Sequence, residues 1–100
     1  MDEMLEHARE VATLLKTIAH EVRLMVLCLL VKGERSVSEL NQEIAVSQSA
    51  LSQHLAVLRR ENLVSTRRQA QVIYYSLPDE NIMRIMEVLH SIYCASNNAD

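Results

Sequence analysis

Residues 22–31 carry one charged side chain, Arg23, and end in eight consecutive apolar residues, 24–31. A helix over this stretch is apolar nearly all round, so other elements must enclose it and it should lie in the centre of a core. The run falls well short of the roughly 20 apolar residues that span a membrane. No membrane partner is expected, and with no basic leader followed by an apolar stretch and a small-residue cleavage site, a cytoplasmic location is expected. The 100 residues form a single expected domain, 1–100, of the usual size of about 100–150 residues. One Gly, one Pro, no Trp, no Phe and three Tyr argue against an all-β chain, which needs turn residues and aromatics.

The remaining elements follow from periodicity and caps. Residues 3–18 place Leu5, Ala8, Ala12 and Leu15 at steps of three and four, the spacing of an amphipathic helix, and Ala19 continues the row. Lys32 and Gly33 close the second helix. Ser36 followed by Glu39 is a capping-box pattern that opens a short third helix to about Ile44. Ser47 caps a fourth over 48–61, with Leu51, Leu55 and Leu58 facing inward. Residues 64–68 and 72–77 alternate as strands, Ile73, Tyr75 and Leu77 on one face and Val72, Tyr74 and Ser76 on the other, around a tip at Gln69-Ala70-Gln71. Pro78-Asp79 stops the second strand and starts a last helix with Ile82, Ile85, Leu89 and Ile92 in register. The expected class is mainly α with a small β-hairpin, in the order α-α-α-α-β-β-α.

Two short helices joined by Ala45-Val46-Ser47 form a helix-turn-helix, and the hairpin that follows reads as a wing. The outer face of the fourth helix is short and polar: Gln48, Ser49, Ser52, Gln53 and His54. Such side chains reach base edges, Gln by two hydrogen bonds to adenine, while Ser reaches a base or a phosphate. Charge agrees with this placement. Residues 1–46 carry −3, residues 47–71 carry +3 and residues 72–100 carry −3. The basic centre comes from Arg59, Arg60, Arg67 and Arg68 against Glu61, and it marks where an anionic polymer would bind. Together with Gln69 at the wing tip, these residues form the expected contact set for double-stranded DNA.

The strings Leu-Lys-Thr-Ile-Ala-His-Glu-Val-Arg-Leu-Met-Val-Leu at 15–27, Ser-Gln-Ser-Ala-Leu-Ser-Gln-His-Leu at 47–55 and Ile-Tyr-Tyr-Ser-Leu at 73–77 closely resemble the ArsR/SmtB family of bacterial winged-helix repressors. The resemblance runs over essentially the whole chain. It implies a homodimer through the first and last helices, binding a pseudo-palindromic operator and releasing it when an inducer arrives. The last helix is compatible with such a seam, since its apolar residues cover more than one face. Leu5, Ala8, Ala12, Ile85, Leu89 and Ile92 are the expected seam residues.

Many members of that family sense metals, and two of its site types can be tested against the residues. Where one type has Cys-x-Cys at the third helix, this chain has Ser36-Val37-Ser38, and serine is a poor ligand for soft or borderline metals. Where the other has Asp-x-His and a later His on the last helix, this chain has Asp79-Glu80-Asn81 and Ile92. No metal site and no cofactor are expected, although a metal-responsive repressor with another ligand set stays open. Cys28 and Cys94 stand 66 positions apart, which excludes Cys-x-x-Cys chemistry. From the residues alone they read as small buried hydrophobes. Their contexts, Val-Leu-Cys-Leu-Leu and Ile-Tyr-Cys-Ala, resemble the sulfide- and persulfide-sensing branch of the family. That resemblance implies a redox-sensing pair, joined by a disulfide or a longer polysulfide when reactive sulfur species or oxidants act as inducer. A cytosolic disulfide of this kind is transient.

Of the histidines, His20 is expected at a cap or junction and His7 in solvent. His90, one helical turn before Cys94, could lower its thiol pKa if protonated. Two readings from other classes complete the set. A thiol-dependent enzyme lacks any activated-nucleophile motif and has little room for a cleft, and a dimerisation module without DNA binding leaves the Arg-rich wing without a purpose.

Overall fold

The computed structural model describes residues 2–93. Five helices and three strands follow one another as α1 (Asp2–Ile18), α2 (Glu21–Val31), β1 (Arg35–Ser36), α3 (Val37–Glu43), α4 (Gln48–Arg60), β2 (Ser65–Gln69), β3 (Val72–Ser76) and α5 (Glu80–Tyr93). The expected order holds, with one addition. Arg35 and Ser36 pair antiparallel with Tyr75 and Tyr74, which extends the hairpin to a three-stranded sheet in the order β1-β3-β2. A two-residue strand has no periodicity of its own; it exists because β3 offers it a free edge.

Local signals set most boundaries. The His20 ring Nδ1 accepts the Val22 N–H at 3.1 Å and caps α2. Gly33, at φ 140°, turns the chain out of α2. Ser36 and Glu39 form the reciprocal capping box at the start of α3, with bonds of 3.1 and 2.8 Å. Asn62 ends α4 in the left-handed region, φ 62°. Its N–H bonds to the Arg59 carbonyl at 3.1 Å and the Leu63 N–H to Leu58 at 2.8 Å, the paired bonds of a Schellman cap. Leu58 and Leu63, both buried, supply the apolar contact that usually accompanies it. Asp79 Oδ1 accepts the Ile82 N–H at 3.1 Å and opens α5. The hairpin tip is tighter than the sequence suggests: β2 runs through Gln69, so the turn is Ala70-Gln71, with Ala70 at φ 58°. A left-handed residue of this kind gives the twist that a two-residue hairpin needs.

The core joins α2, α3, α4 and α5 over one face of the sheet. Val26, Leu27, Leu30, Leu40, Ile44, Leu51, Leu55, Leu58 and Met86 are essentially inaccessible, and Tyr75 closes the sheet side. One expectation requires correction. α2 lies in the core but is not enclosed all round: Val22, Val26, Leu27 and Leu30 face inward, while Leu24 and Met25 stay 36% and 42% exposed. α1 packs through Leu14, Thr17 and Ile18, and Leu5, Ala8 and Ala12, expected at a seam between copies, are exposed together with Leu15. Both elements carry apolar surface that this single chain leaves uncovered.

Candidate nucleic-acid interface

The turn between α3 and α4 is built by one side chain. Asn41 Nδ2 donates to the Val46 carbonyl at 2.9 Å and to the Ile44 carbonyl at 3.3 Å. These bonds satisfy two acceptors released where α3 ends and fix the direction in which α4 leaves. Ser47 Oγ accepts the Ala50 N–H at 3.1 Å and caps α4, whose three inward leucines anchor it to the core. Its opposite side is exposed and holds Gln48, Ser49, Ser52 and Gln53, with Arg59 and Arg60 at the far end. No acidic residue occupies its first turn, which leaves the positive end of the helix dipole open to an anion. A hollow of about 450 Å³ separates this helix from the wing, lined among others by Ser38, Gln48, Gln71 and Tyr74.

His54, expected on that outer face, is half-buried and turned towards the α1–α2 junction. Its ring lies 4.2 Å from the His20 ring, centroid to centroid, and Arg23 Nη1 is 3.3 Å from its Nδ1. Arg23 also donates from Nε to the Thr17 carbonyl at 2.6 Å, so one guanidinium ties the end of α1 to α4. An arginine cannot accept, so the His54 Nδ1 accepts and the ring is neutral in this arrangement. Burial, then the charges of His20 and Arg23, hold its pKa below the ordinary histidine range.

On the wing, Arg67, Arg68 and Gln69 are all exposed. Arg67 and Arg68, being adjacent in a strand, project to opposite faces. Arg67 has partners in the fold: Nε and Nη2 donate to the two carboxylate oxygens of Glu34, each at 2.7 Å, and Nη1 donates to Gln69 Oε1 at 3.0 Å. Its guanidinium lies 4.6 Å from the centroid of the Tyr74 ring, its cross-strand partner. Hydrogen bonding to Arg67 holds the Glu34 carboxyl below the usual carboxylate range, and the same pair raises Arg67.

Cys28 is half-buried on α2, beside an apolar hollow of about 330 Å³ lined by Leu24, Met25, Leu29, Glu43 and Ile44. Cys94, one residue beyond α5, lies outside the described residues. The expected seam residues fall on two surfaces: Leu5, Ala8 and Ala12 are exposed on α1, while on α5 Ile85 and Leu89 are half-buried and Ile92 is exposed. The core side of α5 is made by Ile82 and Met86, with Leu89 packed against the same core. Among the described residues no three His, Cys, Asp or Glu side chains gather where they could hold a metal ion, and no helix is long and apolar enough to cross a membrane.

Residues 20–66, from the cap of α2 to the start of β2, match the bacterial regulatory protein arsR family. The transcriptional activator HlyU of Vibrio cholerae is 45% identical over 97 residues, which cover 97% of this chain and 90% of that protein. This chain belongs to the ArsR family. The biofilm growth-associated repressor of Xylella fastidiosa is 47% identical over 94 residues, covering 94% of this chain and 82% of the repressor. The solved structure of reduced HlyU from Vibrio cholerae superposes with a TM-score of 0.89 at 46% identity, over 94% of this chain and 99% of that one. As an ArsR-family protein the chain is a winged-helix, DNA-binding transcription regulator, and these relatives are regulators rather than enzymes.

In this ArsR-family chain Gln48, Ser49, Ser52 and Gln53 on the polar face of α4, Arg59 and Arg60 at its end and Arg68 and Gln69 on the wing are all exposed. His54 stands apart from that face, and Arg67 is held by Glu34. Sequence reasoning missed Glu34, Asn41 and Arg23. Asn41, just before a helix-ending turn, carried a usable signal, since Asn side chains bond to nearby backbone. Glu34 and Arg23 carried none, because their partners lie 33 and 31 residues away.

Proposed function

We propose that this ArsR-family regulator is a homodimeric repressor that binds a pseudo-palindromic operator when Cys28 and Cys94 are reduced. The exposed polar face of α4, flanked by Arg59, Arg60 and the wing, is the observation that carries the DNA reading. Gln48, Ser49, Ser52 and Gln53 read base edges, whereas Arg59, Arg60 and Arg68 meet phosphates. Uncovered apolar side chains on α1 and α5, among them Leu5, Leu15, Val88 and Ile92, support a seam between two copies. Such a dimer carries two recognition helices spaced by one turn of DNA, about 34–36 Å.

Release follows oxidation within one subunit. A small persulfide takes two electrons from the two thiols: Cys28 and Cys94 lose their protons and form one S–S bond, while the persulfide leaves as a thiol and hydrogen sulfide. With a second persulfide molecule the bridge keeps one extra sulfur, and two thiols and one hydrogen sulfide leave. A direct disulfide needs Cα atoms within about 7 Å, whereas an inserted sulfur spans a longer gap. α5 lies against α2, so a bridge between them constrains the helix that bears the seam. Cys28 beside an apolar hollow supports access for a small, uncharged sulfur species. The test is a titration of a duplex, selected by the reduced protein from a randomised pool, with reduced and persulfide-treated protein, each product identified by intact mass. Bridged protein should bind more weakly; equal affinity of bridged and reduced protein contradicts the switch.

A further inference from the structure

The four side chains Glu34, Tyr74, Arg67 and Gln69 lie across the exposed side of the sheet. Glu34 immediately precedes β1, Tyr74 is on β3 and Arg67 is on β2, so the Arg67 side chain reaches over the middle strand to the far one. β3 is hydrogen-bonded to both outer strands, Tyr74 standing opposite Ser36 on one side and Arg67 on the other. The carboxylate takes two guanidinium N–H groups in a forked pair, Gln69 takes a third, and the ring of Tyr74 lies beneath. Bidentate pairing with stacking fixes the plane of an arginine as well as its position.

We infer that Arg67 is a positioning residue, a strut that sets the wing against the helix-turn-helix and keeps its hold on Glu34 when DNA is bound. The connection is short. Glu34 is two residues before Ser36, the cap of α3, and α3 leads through the Asn41 turn into α4. Holding Arg67 to Glu34 therefore holds the wing at a set distance from the recognition helix. A phosphate brought to Arg67 would also be brought close to the Glu34 carboxylate, which repels it, so the cation that the wing gives to DNA is Arg68, on the opposite side of the strand.

This inference rests on the DNA reading above, and salt dependence separates the two. Each phosphate contact contributes about 0.9 to the slope of log affinity against log salt. The neutral pair Glu34→Gln with Arg67→Gln should bind the selected duplex about 3- to 10-fold more weakly with an unchanged salt slope. Arg68→Gln should flatten the slope by about one unit per subunit. Glu34→Gln alone should weaken binding, and Arg67→Lys, which keeps charge but loses the fork and the stack, should weaken it as well. Circular dichroism on each variant ensures that folded proteins are compared. If the neutral pair flattens the slope as Arg68→Gln does, or if Glu34→Gln tightens binding, Arg67 is a phosphate contact restrained by Glu34 and the strut is wrong. A wild-type protein that selects no duplex overturns the DNA reading and the strut with it.

Discussion

His54 of the recognition helix packs against His20, the cap of α2, with ring centroids 4.2 Å apart and planes at 47°. Arg23 approaches the same imidazole at 3.3 Å while holding the last turn of α1. A proton on His54 would place a cation beside Arg23 and remove the acceptor that Arg23 uses. Three elements thus meet at a ring that the fold keeps neutral.

The pH dependence follows from that relationship. His54 is lowered below its ordinary value of 6.5 by burial, His20 and Arg23, in that order. The unfolded chain therefore takes up the proton first as pH falls. The stabilisation is complete above about 6.5, declines below it and is lost once pH passes the folded-state value. Thermal melts of wild type should show a falling midpoint as pH drops from about 7 to about 5.5, and His54→Asn should show a shallower fall. A parallel decline in both proteins would assign the dependence to other groups.

Asn41→Ala leaves the Ile44 and Val46 carbonyls without their side-chain donor. The expected cost is about 1–3 kcal/mol in urea unfolding, with a larger loss of affinity for the selected duplex than a surface alanine elsewhere on α3 causes. Gln42→Ala, at an exposed position, serves as that comparison. Equal effects of the two substitutions would deny Asn41 its part in the turn.

Much of this architecture is legible in the sequence because its causes are local. Caps at Ser36, Ser47 and Asp79, the inward leucines of α4 and the alternation in β3 all act within a few residues. β1 is not legible, since Arg35 and Ser36 become a strand only by pairing with Tyr75 and Tyr74 on a distant segment. The same holds for His54, whose type and spacing suit the outer face of α4 but whose ring is drawn to Arg23 31 residues away. Apolar patterning also overstated how much of α2 this chain covers by itself, because hydrophobicity records that a surface needs a partner and not which chain supplies it.

That uncovered surface gives a quaternary prediction. Leu15→Glu on α1 and Ile92→Glu on α5, at positions 55% and 56% exposed, should leave the fold intact, since neither side chain belongs to the core. Both should shift the protein from dimer to monomer in sedimentation velocity at micromolar concentration. A wild-type protein that sediments as a monomer would contradict the seam.

Base reading and phosphate contact should separate by substitution. Gln53→Ala, on the exposed face of α4, should lose about 1–3 kcal/mol on the selected duplex while sparing affinity for unrelated sequence. Arg60→Ala should weaken both duplexes alike and flatten the salt slope. Fluorescence anisotropy with the two duplexes checks this, and a Gln53→Ala protein that weakens both equally would remove Gln53 from base recognition.

The thiol switch is tested most directly by the affinity of wild type and Cys94→Ser for the selected duplex, each measured before and after treatment with a persulfide donor. Wild type should lose about 5- to 150-fold in affinity, the range that a coupling of about 1–3 kcal/mol produces, and its mass should report a Cys28–Cys94 bridge. Cys94→Ser should bind like reduced wild type under both conditions. An equal loss of affinity in the two proteins would contradict a switch built on this pair.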